Sequence, residues 1–162
     1  MTTLQQKIAQ IPITTKTAFD VDVGLTTLHV LIVKGATPGE IIWIQAAEHG
    51  DELDGIAAIW QLYRLLDPAI IKGVLVLLPI ANPPAFASGH NRSPKDNVNL
   101  NRVFSPTATG DTYSYQYGRQ LAETISATAN YFIDLHGGGE YLAVTSFATI
   151  SAQSTPAVRD LT

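Results

Sequence analysis

The sequence predicts an α/β layered fold with parallel central strands, and three observations carry that prediction. Short apolar runs of strand length alternate with stretches of helical period. Their order along the chain is strand, helix, strand, loop, helix, strand. Hydrophobic residues make up 46% and charged residues 15% of 162, which suits a buried core and excludes a disordered chain. At about 150 residues per domain, residues 1–162 are expected to form one domain.

Residues 17–34, AFDVDVGLTTLHVLIVKG, place two apolar or alternating runs around Gly24, the pattern of a β-hairpin. GEIIWIQAA at 39–47 is bounded by a glycine and a charged cluster, as a buried central strand is. From Asp51 to Leu66 the period lengthens: Leu53, Ile56, Ala57, Trp60 and Tyr63 recur every three or four residues, predicting a helix that packs this face on the sheet. VLVLLPIA at 74–81 is a second buried strand. Residues 82–111 read as a long polar loop, a feature that is usually functional when it occurs in a compact domain. Tyr117, Leu121 and Ile125 share one face of a helix predicted over 113–129. NYFIDLH at 130–136 and YLAVTSFATI at 141–150 are predicted strands separated by three glycines.

Composition narrows the function. Ten Lys+Arg against fourteen Asp+Glu give a net charge of -4, contrary to the basic excess of nucleic-acid-binding proteins. With no cysteine, a metal would have to be held by histidines and carboxylates. The apolar runs fall short of the ~18 residues that span a membrane, and MTTLQQKIAQ has no apolar leader core. A cytoplasmic location is therefore expected.

Two of the four histidines, His49 and His136, stand where predicted buried strands end, the edge at which open α/β sheets bind ligands. Glu52 follows His49 by three residues across the strand-to-helix turn, and Gly50 between them is expected to let the backbone bend tightly. His49, Glu52 and His136 form a two-histidine, one-carboxylate set, common at catalytic zinc. Each also has a plainer role open to it: a hydrogen-bonded histidine at a strand end, or a glutamate complementing a helix dipole. Asp134, two residues before His136, is expected on the opposite face of its strand and is left out of the set. In the long loop, Arg92, Lys95 and Arg102 put three of the ten basic residues within eleven positions. Three asparagines adjoin Arg102, an arrangement suited either to a carboxylate or to a solvated surface.

Four motifs in one order, HGDE at 49–52, NPPAF at 82–86, RSPKDNVNLNRVF at 92–104 and IDLHGGG at 133–139, resemble the zinc-dependent succinylglutamate desuccinylase/aspartoacylase family of the metallocarboxypeptidase superfamily. The resemblance implies a three-layer α/β/α fold with a mixed, mainly parallel, zinc carboxypeptidase-like sheet. It implies one zinc per chain held by His49, Glu52 and His136, Arg92 polarising the scissile carbonyl, and Asn101 with Arg102 holding a substrate carboxylate. The implied reaction is hydrolysis of N-acyl amino acids, or related small carboxylates, by water activated on zinc. The family's general-base glutamate lies on a later strand, which leads to the expectation that these residues are the N-terminal portion of a longer enzyme. Glu140, Asp160, Glu48 and Asp51 match no motif for that base. A non-catalytic module binding zinc and a carboxylate, and a peptide-cleaving metallocarboxypeptidase, share the same ligand set. Oligomeric state is not readable from these residues.

Overall fold

In the computed structural model, which describes residues 3–105, 107–140, 142–149 and 156, the alternation around Gly24 becomes a hairpin. Strands β1 (Thr15–Val23) and β2 (Thr26–Lys34) pair antiparallel, with Val23 opposite Thr26. Strand β3 (Thr37–Ala46) runs parallel to β4 (Lys72–Leu78) on one side and to β5 (Tyr131–Leu135) on the other. Strand β2 joins β4 antiparallel, giving the order β1-β2-β4-β3-β5. The sheet is therefore mixed, with its three parallel strands adjacent.

Alternation along the strands feeds two cores. Val30, Trp43 and Val76 face helices α1 (Leu4–Gln10) and α4 (Tyr113–Thr128), where they meet Leu4, Ile8, Tyr117 and Leu121. Leu31, Val33, Ala46 and Leu77 face helix α2 (Asp54–Leu65) and pack on Ile59. Helices on both faces make three layers, as the resemblance implies. Helix α1 escaped the sequence reading. A capping box between Thr3 and Gln6 starts it, and its two buried residues dock it on the sheet.

Three expectations are corrected. Helix α2 starts at Asp54 rather than Asp51 and buries Gly55 and Ile59, with Ile56, Leu62 and Tyr63 packed alongside, whereas Leu53 and Trp60 are exposed. Both stripes have helical spacing, and the one that meets the sheet is set by where the preceding turn delivers the chain. The loop after β4 is not structureless: helix α3 (Pro83–Ser88) has Asn82 as N-cap and Gly89 as a left-handed C-cap, and a one-turn 3-10 helix covers Leu100–Arg102. Asp96 fastens the remainder by accepting from the backbone N–H of Ser114 (2.8 Å) and from the hydroxyls of Ser114 (2.8 Å) and Thr112 (2.6 Å) at the start of α4. Burial alone would raise the Asp96 carboxyl, but these hydrogen bonds hold it below its usual range. Finally, residues 142–149 form no strand, and Leu142, Val144 and Phe147 are exposed. An alternating pattern makes a strand only where an edge accepts its hydrogen bonds. Residues 141 and 150 of that expected strand lie outside the described residues.

The two faces of α2 give a direct check on this packing. Ile59→Ala should destabilise the chain by about 2–5 kcal/mol, and Trp60→Ala by under about 1 kcal/mol, in urea unfolding. Similar losses for both would place the wrong face against the sheet.

Candidate metal centre

The site is built where β3 and β5 end side by side. Gln45 pairs with Asp134 and Ala46 with Leu135, so the parallel register brings the residues after both strands to one edge. Ala47 then takes a positive φ of 51°, sparsely populated for a residue with a side chain, and its carbonyl accepts from Asn82 N–H at 3.1 Å. The chain turns through Glu48, His49 and Gly50, and Glu52 N–H closes the turn on the His49 carbonyl at 3.3 Å. Gly50 is required for a reason other than a tight bend. A Cβ there would lie 2.0 Å from the carbonyl oxygen of Ala85 in α3.

Glu52 is the meeting point. Its Oε1 lies 2.8 Å from His49 Nδ1, and its Oε2 lies 3.0 Å from His136 Nδ1 and accepts from Gly137 N–H at 2.9 Å. The two imidazole centroids are 5.0 Å apart. One donor atom from each of His49, Glu52 and His136 lies within 4.8 Å of the others, close enough to share a metal ion. Burial pushes the Glu52 carboxyl up, but hydrogen bonds from His136, His49 and the Gly137 N–H prevail and hold it near 2. The hydrogen bonds of His136 to Asp134 and then Glu52 push its imidazole up to about 10.

The far nitrogens of both rings face other polar groups. His49 Nε2 is 3.1 Å from Asn99 Oδ1, and that oxygen also accepts from Asn101 N–H at 2.9 Å, which identifies it as the amide oxygen. Nε2 of His49 therefore donates to Asn99. His136 Nε2 lies 3.3 Å from Asp134 Oδ2. With both Nε2 atoms turned outward, the Nδ1 atoms are the ring nitrogens that face Glu52, and on losing their protons they would serve a metal held there, an arrangement typical of metal-binding histidines. The donor set fits a metal ion.

Asp134 is the clearest correction to the sequence reading. Residues two apart in a strand share a face, so Asp134 lies beside His136 rather than opposite it. Glu48 and Asn99 were also passed over as parts of the site. Asn99 lay within the noted asparagine cluster, but nothing in the sequence tied it to His49. Glu48 is buried at 2% exposure with a carboxyl oxygen within 4.8 Å of one of Asp134's, and its burial first, then the neighbouring Asp134, push its carboxyl up to about 9.

The remaining candidates lie in the loop. Arg92 donates to the Asn97 carbonyl at 3.1 Å and lines a cavity of about 350 Å³ with Asp51, His90, Asn97 and Glu140. Asn101 and Arg102 occupy the 3-10 helix that Asn99 caps, so Asn99 couples that turn to His49. Arg102 is exposed. Lys95 departs from the expected basic group, because its Nζ sits 4.1 Å from the centroid of the Tyr113 ring. Asp160 lies outside the described residues.

The succinylglutamate desuccinylase/aspartoacylase catalytic domain matches residues 38–161. N-alpha-acetyl-L-2,4-diaminobutyric acid deacetylase of Halomonas elongata is 30% identical over 125 residues, which are 77% of this chain and 36% of that protein. The crystal structure of a succinylglutamate desuccinylase/aspartoacylase from Rhodobacter sphaeroides superposes with a TM-score of 0.66 at 28% identity, covering 80% of this chain and 43% of that one. A product-bound ectoine utilization protein from Ruegeria pomeroyi gives a TM-score of 0.60 at 26% identity, covering 80% and 42%. The chain thus spans less than half the length of these relatives. Among the described residues no helix is long and apolar enough to cross a membrane. With the motifs at 49–52 and 133–139 brought to one sheet edge and a catalytic-domain match over 38–161, the chain belongs to the succinylglutamate desuccinylase/aspartoacylase family.

Proposed function

We propose that this chain forms the metal-bearing part of a zinc-dependent deacylase that hydrolyses the amide bond of N-acyl amino acids or related small carboxylates. The observation that best supports this reading is the convergence of His49, Glu52 and His136, with both imidazoles turned Nδ1-first toward one carboxylate. Two histidines and a carboxylate are a common donor set for catalytic zinc, at one ion per chain. Zinc, when bound, supplies Lewis acidity toward a carbonyl oxygen and lowers the pKa of water to about 7.

The chain's own residues supply recognition and charge stabilisation. Arg92, on the cavity wall, is assigned to donate to the scissile carbonyl as negative charge develops on it. Asn101 and Arg102 are assigned to the substrate carboxylate, for which a guanidinium fork beside an amide is well matched. Asn99 holds that pair at a fixed distance from His49, so that metal and carboxylate anchor are positioned together. The names of the Halomonas and Ruegeria relatives, a deacetylase of an acetylated diamino acid and an ectoine utilization protein, favour a small acylated amino acid over a peptide. Glu140 lines the Arg92 cavity, and no general-base role is assigned to it.

Elemental analysis of the zinc-replete chain should find about one zinc per chain, falling to near zero in His49→Ala. A metal-free wild type under those conditions would overturn the proposal. In calorimetric titration of the zinc-loaded chain, Arg102→Ala should weaken binding of an N-acetyl amino acid by roughly 10–100-fold with zinc content unchanged, as loss of a charge-assisted hydrogen bond requires. The same titration with a panel of dipeptides should give the weaker binding. Preferential dipeptide binding would point to peptide cleavage instead.

A further inference from the structure

The segment that carries Arg92, Asn101 and Arg102 is anchored by a carboxylate lying outside the metal centre. Helix α4 begins at Tyr113 with Thr112 as N-cap, yet the Thr112 hydroxyl makes no cap hydrogen bond. It donates instead to Asp96 Oδ2 at 2.6 Å, and the same oxygen accepts the Ser114 N–H at 2.8 Å. Asp96 Oδ1 accepts from the Ser114 hydroxyl at 2.8 Å. A carboxylate 16 residues before Thr112 thus caps the helix, at an end where free N–H groups need acceptors and negative charge is favoured. Beside it, Lys95 Nζ lies 4.1 Å from the centroid of the Tyr113 ring, a second tie to the same helix end.

One further bond carries this anchor to Arg92. Asp96 Oδ1 also accepts from the Val98 N–H at 3.2 Å, and that N–H belongs to the peptide joining Asn97 to Val98. On the other side of the same peptide plane, the Asn97 carbonyl accepts from Arg92 Nη1 at 3.1 Å. In a trans peptide the N–H and C=O point in opposite directions, so one rigid plane joins the carboxylate to the guanidinium. Hydrogen bonds chained in this way polarise and strengthen one another. Asn97 holds the plane at a φ of 56°, sparsely populated for a residue with a side chain, and its own N–H is fixed on the Ser93 carbonyl at 2.8 Å.

We propose that Asp96 is a positioning residue for Arg92: pinned to the start of α4, it holds the Asn97–Val98 peptide and thereby keeps the Arg92 guanidinium at the cavity wall. The inference rests on the role assigned to Arg92 above, and it names the group through which that role is set. Arg92 is exposed, and a long exposed side chain samples many rotamers unless something holds it. A guanidinium already held where charge develops needs no reordering at the moment of reaction. The start of α4, a helix that supplies no metal donor, thus governs the group that meets the scissile carbonyl.

Two readouts on the zinc-loaded chain test it. Nitrogen-15 relaxation at Arg92 Nε, with no ligand added, reports the order of the guanidinium directly. Calorimetric titration with N-methylphosphonyl-L-alanine, whose anionic oxygens stand in for a carbonyl oxygen gaining charge, reports what that order contributes to binding. Asp96→Ala should turn an ordered Arg92 Nε mobile and weaken the analogue about 10–100-fold, the range for a charge-assisted hydrogen bond, with zinc content unchanged. In an Arg92→Ala background the same substitution should change binding by less than about threefold, because the residue it acts through is gone. The pair Thr112→Val and Ser114→Ala removes two of the three donors at the start of α4 and leaves Asp96 in place. That double variant should move both readouts in the same direction by a smaller amount, and it decides the matter if circular dichroism shows Asp96→Ala unfolded. An Arg92 Nε as ordered in the variants as in wild type, or a loss of binding that persists in full in the Arg92→Ala background, would overturn the inference and leave the proposed function standing. An analogue that wild type does not bind, or that Arg92→Ala binds equally well, would overturn the role assigned to Arg92 and this inference with it.

Discussion

Glu52 accepts hydrogen bonds from His49, His136 and the Gly137 N–H through its two oxygens, joining the turn after β3 to the turn after β5 across 84 residues of sequence. A carboxylate held this way is strongly favoured in its ionised form, as its low pKa reflects. Two strand ends, a helix start and a glycine turn are therefore tied to a single group. Without it the histidines would have no common focus, because each is otherwise held only by its far nitrogen.

The backbone prepares this focus. Because β5 runs parallel to β3 with Asp134 opposite Gln45, the chain leaves both strands at the same edge and in the same direction. Tight packing then holds the turns in place. The Ala85 carbonyl of α3 fills the space where a Cβ of Gly50 would stand, and Gly139, at φ 57°, lies where a Cβ would meet the Asp51 carboxylate at 2.4 Å. The unusual conformation of Ala47 is held by the Asn82 N–H donating to its carbonyl. Residues with little freedom to move thus surround the donor atoms, which is what a preformed metal site requires.

The segment between β4 and α4 contributes more than surface. Asp96 secures it to α4, Asn99 secures it to His49, and Gly50 N–H donates to the His90 carbonyl at 3.0 Å. Arg92, Asn101 and Arg102 therefore project from a braced scaffold. The Asn99 contact makes the position of the turn that carries Asn101 and Arg102 depend on the position of His49.

Local patterning was enough to read the hairpin, the central strands β3, β4 and β5 and helix α4, and to single out His49, Glu52 and His136, which the structure brings together. Apolar runs, helical period and motif spacing are properties of neighbouring residues, and a one-dimensional string records them. It could not show which stripe of α2 meets the sheet, since Trp60 and Ile59 belong to equally periodic stripes. Nor could it show that 142–149 lack a strand, because pairing depends on a distant edge. Asp134 was legible in principle, as period two places it beside His136. Glu48 and Asn99 were not: a buried acid is recognisable only by what surrounds it, and Asn99 reaches His49 across 50 positions of sequence. Long-range packing alone sets those contacts, and they orient the histidines that the sequence had already marked.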